Sequence, residues 1–330
     1  ASAGNSQIIG SFEDLYVTGS NAAIAAGFFY LGNDLIIFST TNNASSWTQN
    51  FILSSGNLPR YISAMDYDGS GNGVAVGGAG RVYKTANNGS TWSSGVSGTT
   101  TTLEDVSWVN GTTYVTVSGN AIYRSTNGGS SWTSVLGSLS STENVSFAHS
   151  TNTGYAGGSN ELRKSTDGGL TWTSVTIPPI NIRCIYTFSP DTVYLGTYDA
   201  LYRSTSGGQY WERFTMPGFQ RINDINFYDA NNGMVAGDSG YVAKTTNGGG
   251  LPEPVSLFSI STGPLCEGAT INPVNYGDPS WSYQWFINGT LVSTQYTPTL
   301  TLNTPWTNTV ELAVTNNGLT DTSSTTINVT

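Results

Sequence analysis

Charged residues are scarce in this sequence of 330 residues, at 10% of the chain against roughly 25% in ordinary soluble domains. The formal net charge is −10, which argues against nucleic acid and anionic membranes as partners, because both require a basic patch. No apolar run approaches the ~20 residues that span a bilayer. A content of charged residues this low is more common in exported proteins than in cytosolic enzymes. We therefore expect an extracellular or cell-surface location.

Histidine and cysteine are nearly absent. The only histidine, His149 in "SFAHSTNTG", is interpreted as a solvated turn residue, so a nucleophile–histidine site has no second candidate. Cys184 and Cys266 are not at zinc-binding spacing, and no Walker-type phosphate loop is present. We expect Cys184 to be a buried thiol on a strand. A bridge between the two cysteines is disfavoured, because their expected positions rarely approach within ~7 Å.

Glycine, serine, threonine and asparagine are abundant, and they recur in a fixed pattern. The clearest copy is "KSTDGGLTW", residues 164–172, and related copies occur along most of the chain. The positions that define the pattern are Ser125, Asn127, Gly129 and Trp132 in one copy, Ser165, Asp167, Gly169 and Trp172 in the next, and Trp47, Trp92 and Trp211 at the ends of three others. A truncated copy, "KTTNGGG", ends at Gly250. In each copy the Asn or Asp can hold a hairpin loop, the glycine supplies a positive φ, and the tryptophan packs beneath the loop.

The spacing of these copies indicates the architecture. The tryptophans that end five of them are separated by 45, 40, 40 and 39 residues, a period typical of propeller blades rather than of helical arrays. Alternating strands and Gly-rich turns precede each copy, which favours four-stranded antiparallel units. We predict a six-bladed β-propeller over residues 1–250, with a seventh blade possible in a diverged N-terminus. The blades are expected near residues 12–54, 60–97, 102–138, 143–177, 182–216 and 221–250, and the segment 5–11 is expected to complete the last blade.

The sequence pattern changes after Gly250. A short stiff linker, "LPEP", covers residues 251–254. Residues 255–330 lack the repeated pattern but contain alternating strands around a central Trp285, which predicts an immunoglobulin-like β-sandwich. The fold class is therefore all-β, with a propeller followed by a sandwich.

The repeats resemble BNR/Asp-box repeats, and "INDINFYDANNGMVAGDSGYVAKTTNGGG" in particular is similar to the propeller family that includes photosystem II assembly factors and bacterial surface relatives. Residues 255–330 resemble a PKD-type domain of the kind found in secreted proteins and adhesins of surface-gliding bacteria. These resemblances are specific for fold and weak for function, because Asp-box hairpins occur in sialidases and in non-catalytic scaffolds alike.

The arginines of this chain do not follow the sialidase pattern. Those enzymes carry an arginine in an Arg-Ile-Pro stretch near the N-terminus, whereas this chain has no such stretch and no arginine before Arg60. A two-carboxylate glycosidase is harder to exclude, and its candidate residues are Glu104, Asp105, Glu143, Asp199, Asp224 and Asp238. Their spacing selects no pair with the required ~5 or ~6.5–9.5 Å separation. We therefore assign no catalytic residue.

One calcium candidate is present. In "DYDGSGNG" the oxygen-bearing side chains of Asp66, Asp68, Ser70 and Asn72 alternate around Gly71, as they do in calcium loops. The distal glutamate of an EF-hand is absent, and an ordinary Asx-rich turn is the alternative interpretation. No other cofactor is expected.

Three connections between blades place a proline before an arginine, namely "NLPRYIS", "IPPINIRCIY" and "MPGFQRINDI". The arginines are Arg60, Arg183 and Arg221, and in the photosystem-assembly relatives similar arginines line a face that engages a protein partner. Together they would form a cationic mouth suited to a carboxylate or sulfate. Tyr198 and Phe219 could add a stacking surface for a sugar or peptide, or could merely pack the loops. The alternative for the arginines is structural pairing with Asp199, Asp224, Asp238 or Glu161.

The sequence therefore favours a non-catalytic secreted or cell-surface protein that binds a protein or glycan partner through its propeller. A carbohydrate-active enzyme is the second hypothesis, and a self-assembling subunit of an extracellular filament or layer is the third. We predict no nucleic-acid partner and no membrane span.

Overall fold

The computed structural model describes residues 10–29, 34–53, 61–216, 221–250, 252–260 and 265–329. These residues form an all-β protein whose strands pair as antiparallel sheets. By its internal contacts the chain divides into two compact units, Ala1–Ser174 and Val175–Thr330. The predicted linker at residues 251–254 therefore does not coincide with this division and stays a prediction.

The first unit contains four sheets, each built from four strands in sequential order. Sheet 1 consists of β1 (Gly10–Gly19), β2 (Ala22–Phe29), β3 (Asp34–Thr40) and β4 (Thr48–Leu53). Sheet 2 consists of β5 (Ile62–Tyr67), β6 (Gly73–Gly77), β7 (Arg81–Thr85) and β8 (Ser93–Ser94). Sheet 3 consists of β9 (Asp105–Asn110), β10 (Thr113–Ser118), β11 (Ala121–Ser125) and β12 (Thr133–Gly137). Sheet 4 consists of β13 (Asn144–Phe147), β14 (Gly154–Gly158), β15 (Glu161–Ser165) and β16 (Thr173–Ser174).

The second unit continues the same pattern. Sheet 5 consists of β17 (Cys184–Thr187), β18 (Val193–Gly196), β19 (Ala200–Ser204) and β20 (Glu212–Thr215). Sheet 6 consists of β21 (Ile222–Phe227), β22 (Gly233–Gly237) and β23 (Val242–Thr245), and has three strands in the described part of the chain. Two short 3₁₀ turns, Gly78–Gly80 and Asp238–Gly240, follow the second strands of sheets 2 and 6.

Both faces of most second strands are buried. Every residue of β6, β10, β14 and β18 is buried, whereas β22 alternates between buried and more exposed residues. Strands covered on both faces read as continuous apolar or small residues. Hydrophobic clusters accordingly join sheet 1 to sheet 2, sheet 2 to sheet 3, and sheet 3 to sheet 4, and a further cluster joins sheet 5 to sheet 6.

The repeated turns are held by the same hydrogen bonds in successive sheets. Ser125 Oγ accepts the N–H of Gly129 at 3.0 Å, Asn127 Oδ1 accepts the N–H of Ser131 at 3.0 Å, and the indole N–H of Trp132 donates to the Gly129 carbonyl at 3.2 Å. Equivalent bonds hold the turns that end at Trp92 and Trp172. The indole of Trp211 instead donates to the carbonyl of Thr176, at 3.2 Å.

Glycine is required in these turns for two reasons. Gly129 has φ +77°, and a Cβ there would lie 2.7 Å from Cγ2 of Val74 in the preceding sheet. Gly169 repeats the arrangement with φ +82° and Val115 at 2.5 Å. Each repeated turn therefore also packs its sheet against the one before it.

The C-terminal strands form a separate arrangement within the second unit. They are β24 (Phe258–Ser259), β25 (Ala269–Ile271), β26 (Val274–Asn275), β27 (Ser282–Ile287), β28 (Thr290–Ser293), β29 (Leu300–Leu302), β30 (Trp306–Asn316) and β31 (Leu319–Val329). Their sheets are β28-β27-β30-β31, β25-β29 and β24-β26. The fully buried Trp285 lies in their core, and its indole N–H donates to the Gln295 carbonyl at 3.0 Å.

The first strand differs in part from the sequence prediction. Gly10 and Ser11 pair with Phe29 and Phe28 in sheet 1, so these two residues of the segment 5–11 belong to the first sheet and not to the last. Residues 5–9 lie outside the described residues. The pairing reaches Gly10 and Ser11 because β2 extends to Phe29, and its eight residues pair with eight of the ten residues of β1.

Candidate functional site

Two of the predicted arginines meet on one tyrosine ring in the second unit. The guanidinium carbon of Arg183 lies 5.7 Å from the ring centroid of Tyr198, and that of Arg221 lies 5.3 Å from it. Cations at this distance are attracted by the ring quadrupole. The tyrosine is 49% exposed, so these three residues form a solvent-accessible surface, which we call the arginine–tyrosine cluster.

Backbone hydrogen bonds hold together the chain segments that carry these side chains. Arg183 immediately precedes β17 and donates its N–H to the Gly196 carbonyl at 2.8 Å. Arg221 immediately precedes β21, and the next residue, Ile222, donates to the Thr197 carbonyl at 2.9 Å. The turn between β18 and β19, which carries Tyr198, is thereby tied to the starts of both innermost strands.

The acidic residues that the sequence offered as partners of the arginines are mostly paired elsewhere. Arg221 Nη1 lies 3.9 Å from Asp238 Oδ2, at the outer limit of an ion pair. Asp199 pairs with Arg213 at 3.1 Å, and Glu161 pairs with Arg163 at 2.7 Å. Of the four predicted partners, Asp238 thus lies within ion-pair distance of Arg221.

Asp224, the remaining predicted partner, accepts the N–H of Ile225 at 2.8 Å. Asp238 also accepts a hydrogen bond from the Asn223 amide at 2.7 Å. An ion pair that is partly exposed and long contributes little, typically 0–1 kcal/mol. The guanidinium of Arg221 is therefore available to an incoming anion at small cost.

Other basic residues hold the fold together, which the sequence did not reveal. Arg124 Nε donates to the Gly168 carbonyl at 2.7 Å, and Arg203 Nη1 donates to the Gly248 carbonyl at 2.5 Å. Lys84 likewise donates to the Ser130 hydroxyl. In each case the basic residue at the end of a third strand reaches the repeated turn of the next sheet. The recurrence of Lys or Arg before five of the six turns was the available signal.

Two of the predicted ligand-binding residues, Arg60 and Phe219, lie outside the described residues. Their proximity to the arginine–tyrosine cluster stays a prediction.

The calcium candidate has the geometry of an Asx turn. Asp68 accepts the N–H groups of Ser70 and Asn72 at 2.7 and 3.1 Å, and the Asn72 amide donates to its second oxygen at 2.7 Å. Asp66 is directed elsewhere, because its Oδ2 accepts the N–H of Trp108 in sheet 3 at 2.6 Å. Across the described ranges, no group of three or more His, Cys, Asp or Glu side chains could hold a metal ion. The geometry thus favours the alternative interpretation of this loop.

A row of carboxylates joins the innermost strands of neighbouring sheets, and sequence reasoning missed it. Asp14 accepts the N–H of Met65 at 2.6 Å, Asp66 that of Trp108 at 2.6 Å, and Asp105 that of Val145 at 2.8 Å. Each of the three also accepts the N–H of its own following residue. Their separation of about one repeat was the signal that could have found them.

Burial and the neighbouring carboxylates affect the ionisation of this row. Burial raises the pKa of Asp66 to about 7, the backbone hydrogen bonds oppose the shift, and the charge of Asp14 adds to it. Burial also raises the pKa of Asp105 to about 7. Asp105 was a candidate glycosidase residue, but its carboxylate accepts hydrogen bonds from two backbone N–H groups. Partial burial, together with the nearby Glu143, raises the pKa of another candidate, Glu104.

The histidine and the cysteines have the surroundings expected from the sequence. His149 is exposed in a turn, with its ring 5.2 Å from that of Trp108. Cys184 is buried, Cys266 is exposed, and no disulfide joins them.

Comparisons with known proteins bear on the fold. No protein-family profile matches the sequence, and no curated protein matches it. Among solved structures, YCF48 bound to a D1 peptide is similar with a TM-score of 0.55 and 16% identity, over 73% of this chain and 93% of that one. YCF48 from Cyanidioschyzon merolae has a TM-score of 0.55 and 18% identity, over 72% of this chain and 80% of that one. U3-55K has a TM-score of 0.55 and 12% identity, over 71% and 76%.

These likenesses define the class of protein. The chain is an all-β protein with a propeller-like fold. Within the described residues, no helix is both long and apolar enough to cross a bilayer.

Proposed function

We propose that this protein is a non-catalytic binding propeller that recognises an acidic segment of a protein partner at the arginine–tyrosine cluster. The proposal rests on the contacts of Arg183 and Arg221 with the exposed ring of Tyr198. The ion pair between Arg221 and Asp238 is long. Guanidinium groups bind carboxylates through paired hydrogen bonds, and an exposed aromatic ring supplies contact area at low entropic cost. The similarity to a propeller solved with a bound peptide supports this choice of partner.

The proposed architecture has six Asp-box blades followed by a PKD-type sandwich. It is supported by six successive sheets whose repeated turns share hydrogen bonds, and by the core around Trp285 in the C-terminal strands. Arg60 and Phe219 are proposed to complete the binding surface.

The proposed location is outside the cell or on its surface. The low content of charged residues supports it, as does the resemblance of the C-terminal strands to domains of secreted proteins. Fractionation of the native host, with detection by antibody, tests this location, and recovery of the protein exclusively in the cytosol would contradict it.

Binding of acidic peptides tests the proposed function. An array of peptides, half of them rich in Asp and Glu and half neutral, is probed with the wild type and with an Arg183→Ala/Arg221→Ala variant. We expect acidic peptides to bind the wild type and the variant to bind them at least tenfold more weakly, since tenfold corresponds to about 1.4 kcal/mol. Inorganic sulfate is expected to compete.

The matched control carries the same loss of charge away from the cluster. It is Arg163→Ala/Lys244→Ala, which removes the Arg163–Glu161 pair and one exposed lysine. If the control loses as much affinity as the cluster variant, binding follows net charge and the proposal is wrong. Glycoside substrates are assayed with the same samples, and turnover by the wild type would favour an enzyme instead.

A further inference from the structure

A second recognition surface adjoins the arginine–tyrosine cluster within the second unit. A cleft of about 400 Å³ lies between the turn that joins β18 to β19 and the C-terminal strands. Its wall includes Asn181, Tyr198, Asp199 and Thr322. The volume falls within the range of small-ligand sites, about 300–1,000 Å³.

The charged side chains of the wall are already held by ion pairs and hydrogen bonds. Arg213 lies 3.1 Å from Asp199 and 3.5 Å from Glu253, and it also donates to the Thr215 hydroxyl at 3.0 Å. Asp321 accepts the backbone N–H and the hydroxyl of Ser256 at 3.0 and 2.8 Å. An anion would have to take Arg213 from its carboxylates and leave a partly buried charge without its partner, which is costly. The wall, with Asp199 and Asp321 against Arg213, therefore disfavours an anion.

The wall retains hydrogen-bonding capacity for a neutral ligand. The amide of Asn181 and the hydroxyl of Thr322 are on exposed residues, and an amide offers both donors and acceptors. Each carboxylate oxygen of Asp199 accepts one hydrogen bond, from Thr197 at 3.2 Å or from Arg213 at 3.1 Å, and keeps a lone pair for another. The half-exposed ring of Tyr198 adds an apolar surface.

We infer that this cleft binds a neutral, polyhydroxylated ligand of the size of one or two sugar residues. Hydroxyl groups of such a ligand donate to Asp199 and exchange hydrogen bonds with Asn181 and Thr322, while its C–H face packs on Tyr198. A neutral ligand of this kind has no ion pair to displace. The cleft shares Tyr198 with the arginine–tyrosine cluster, but the proposed contacts with the ligand do not include Arg183 or Arg221.

Saturation-transfer NMR on the full chain tests the inference, with D-galactose, N-acetyl-D-glucosamine and cellobiose as probes and D-glucuronate as the charged comparison. We expect at least one neutral sugar to bind the wild type. Asn181→Ala, which removes the amide, and Thr322→Trp, which fills the cleft, should each weaken binding at least tenfold. Thr326→Trp, an exposed position on the same strand outside the cleft wall, should leave binding unchanged.

Three results would overturn the inference. The first is absence of binding by every neutral sugar at ~50 mM, well above the millimolar range of weak ligands. The second is equal binding by the wild type and both cleft variants, measured on proteins whose NMR spectra remain folded. The third is tighter binding of D-glucuronate that disappears in Arg183→Ala/Arg221→Ala, which would place the ligand on the arginines. Loss of acidic-peptide binding in that variant with retained sugar binding would support the independence of the two sites.

Discussion

Replacing Asp66 by asparagine should leave the protein about as stable as the wild type at pH 5 and make it more stable at pH 8. The carboxylate of Asp66 accepts the N–H of Trp108 at 2.6 Å and that of Tyr67 at 2.7 Å. An asparagine has one oxygen and one NH₂ group, so one of these two donors would face a second donor. That mismatch should cost about 1–2 kcal/mol at any pH.

The pH dependence comes from the raised pKa of the wild-type residue. Burial raises it from the ordinary 3.8 to about 7 in the folded protein, so the folded state binds this proton more tightly than the unfolded state does. The resulting stabilisation is complete below about pH 4 and is lost as the pH rises to about 7. At 1.36 kcal/mol per unit, the loss is about 4 kcal/mol for this residue. Asparagine removes that loss and should leave the variant about 2 kcal/mol more stable than the wild type at pH 8.

Urea unfolding followed by tryptophan fluorescence at pH 5 and pH 8 checks this prediction. The control is Asp68→Asn on the neighbouring turn. There partial burial opposes the shift, but the hydrogen bonds from Asn72 and Ser70 lower the pKa below the ordinary 3.8. Both assay pH values lie above 3.8, so the control should lose the same stability at pH 5 as at pH 8. If Asp66→Asn destabilises the protein equally at both pH values, the carboxylate is ionised throughout and the reasoning is refuted.

The remaining predictions concern a turn and the two thiols. Gly129→Ala should unfold at a temperature several degrees lower than Gly128→Ala, because both glycines have positive φ but only the Cβ at residue 129 meets Val74, at 2.7 Å. Equal melting temperatures of the two variants by differential scanning calorimetry would show that a Cβ at residue 129 does not clash with Val74. The exposed Cys266 should react with Ellman's reagent within seconds to minutes in the native protein, whereas the buried Cys184 should react fully only after denaturation. Two equivalents of fast reaction without denaturant would contradict the burial of Cys184.

The repeated turns were predictable because their chemistry is local. Ser165, Asp167 and Gly169 bond to one another within five residues, so their spacing in the sequence already specifies the loop. The order of strands in sheets 1 to 6 follows for the same reason, since consecutive strands joined by short turns pair as neighbours.

The candidate site was predictable only in part. The shared Pro-before-Arg pattern identified Arg183 and Arg221, and the structure brings both to Tyr198. The pattern did not reveal that Arg213 would take Asp199, or that Arg163 would take Glu161. Ion pairs of this kind depend on which side chains adjacent strands present to each other, and local spacing does not encode that choice.

The sequence by itself determined the strands, the turns and the scarcity of charge, because each of these is set by residues close together in the chain. The tertiary structure decided what the individual charges do. In the sequence Asp66 was a calcium candidate and Asp105 a catalytic candidate, yet both are partly buried between sheets, where they accept backbone N–H groups about 40 residues away. A carboxylate acquires a raised pKa, and a guanidinium becomes available to a ligand, through its distant neighbours, and those are known only once the sheets have packed.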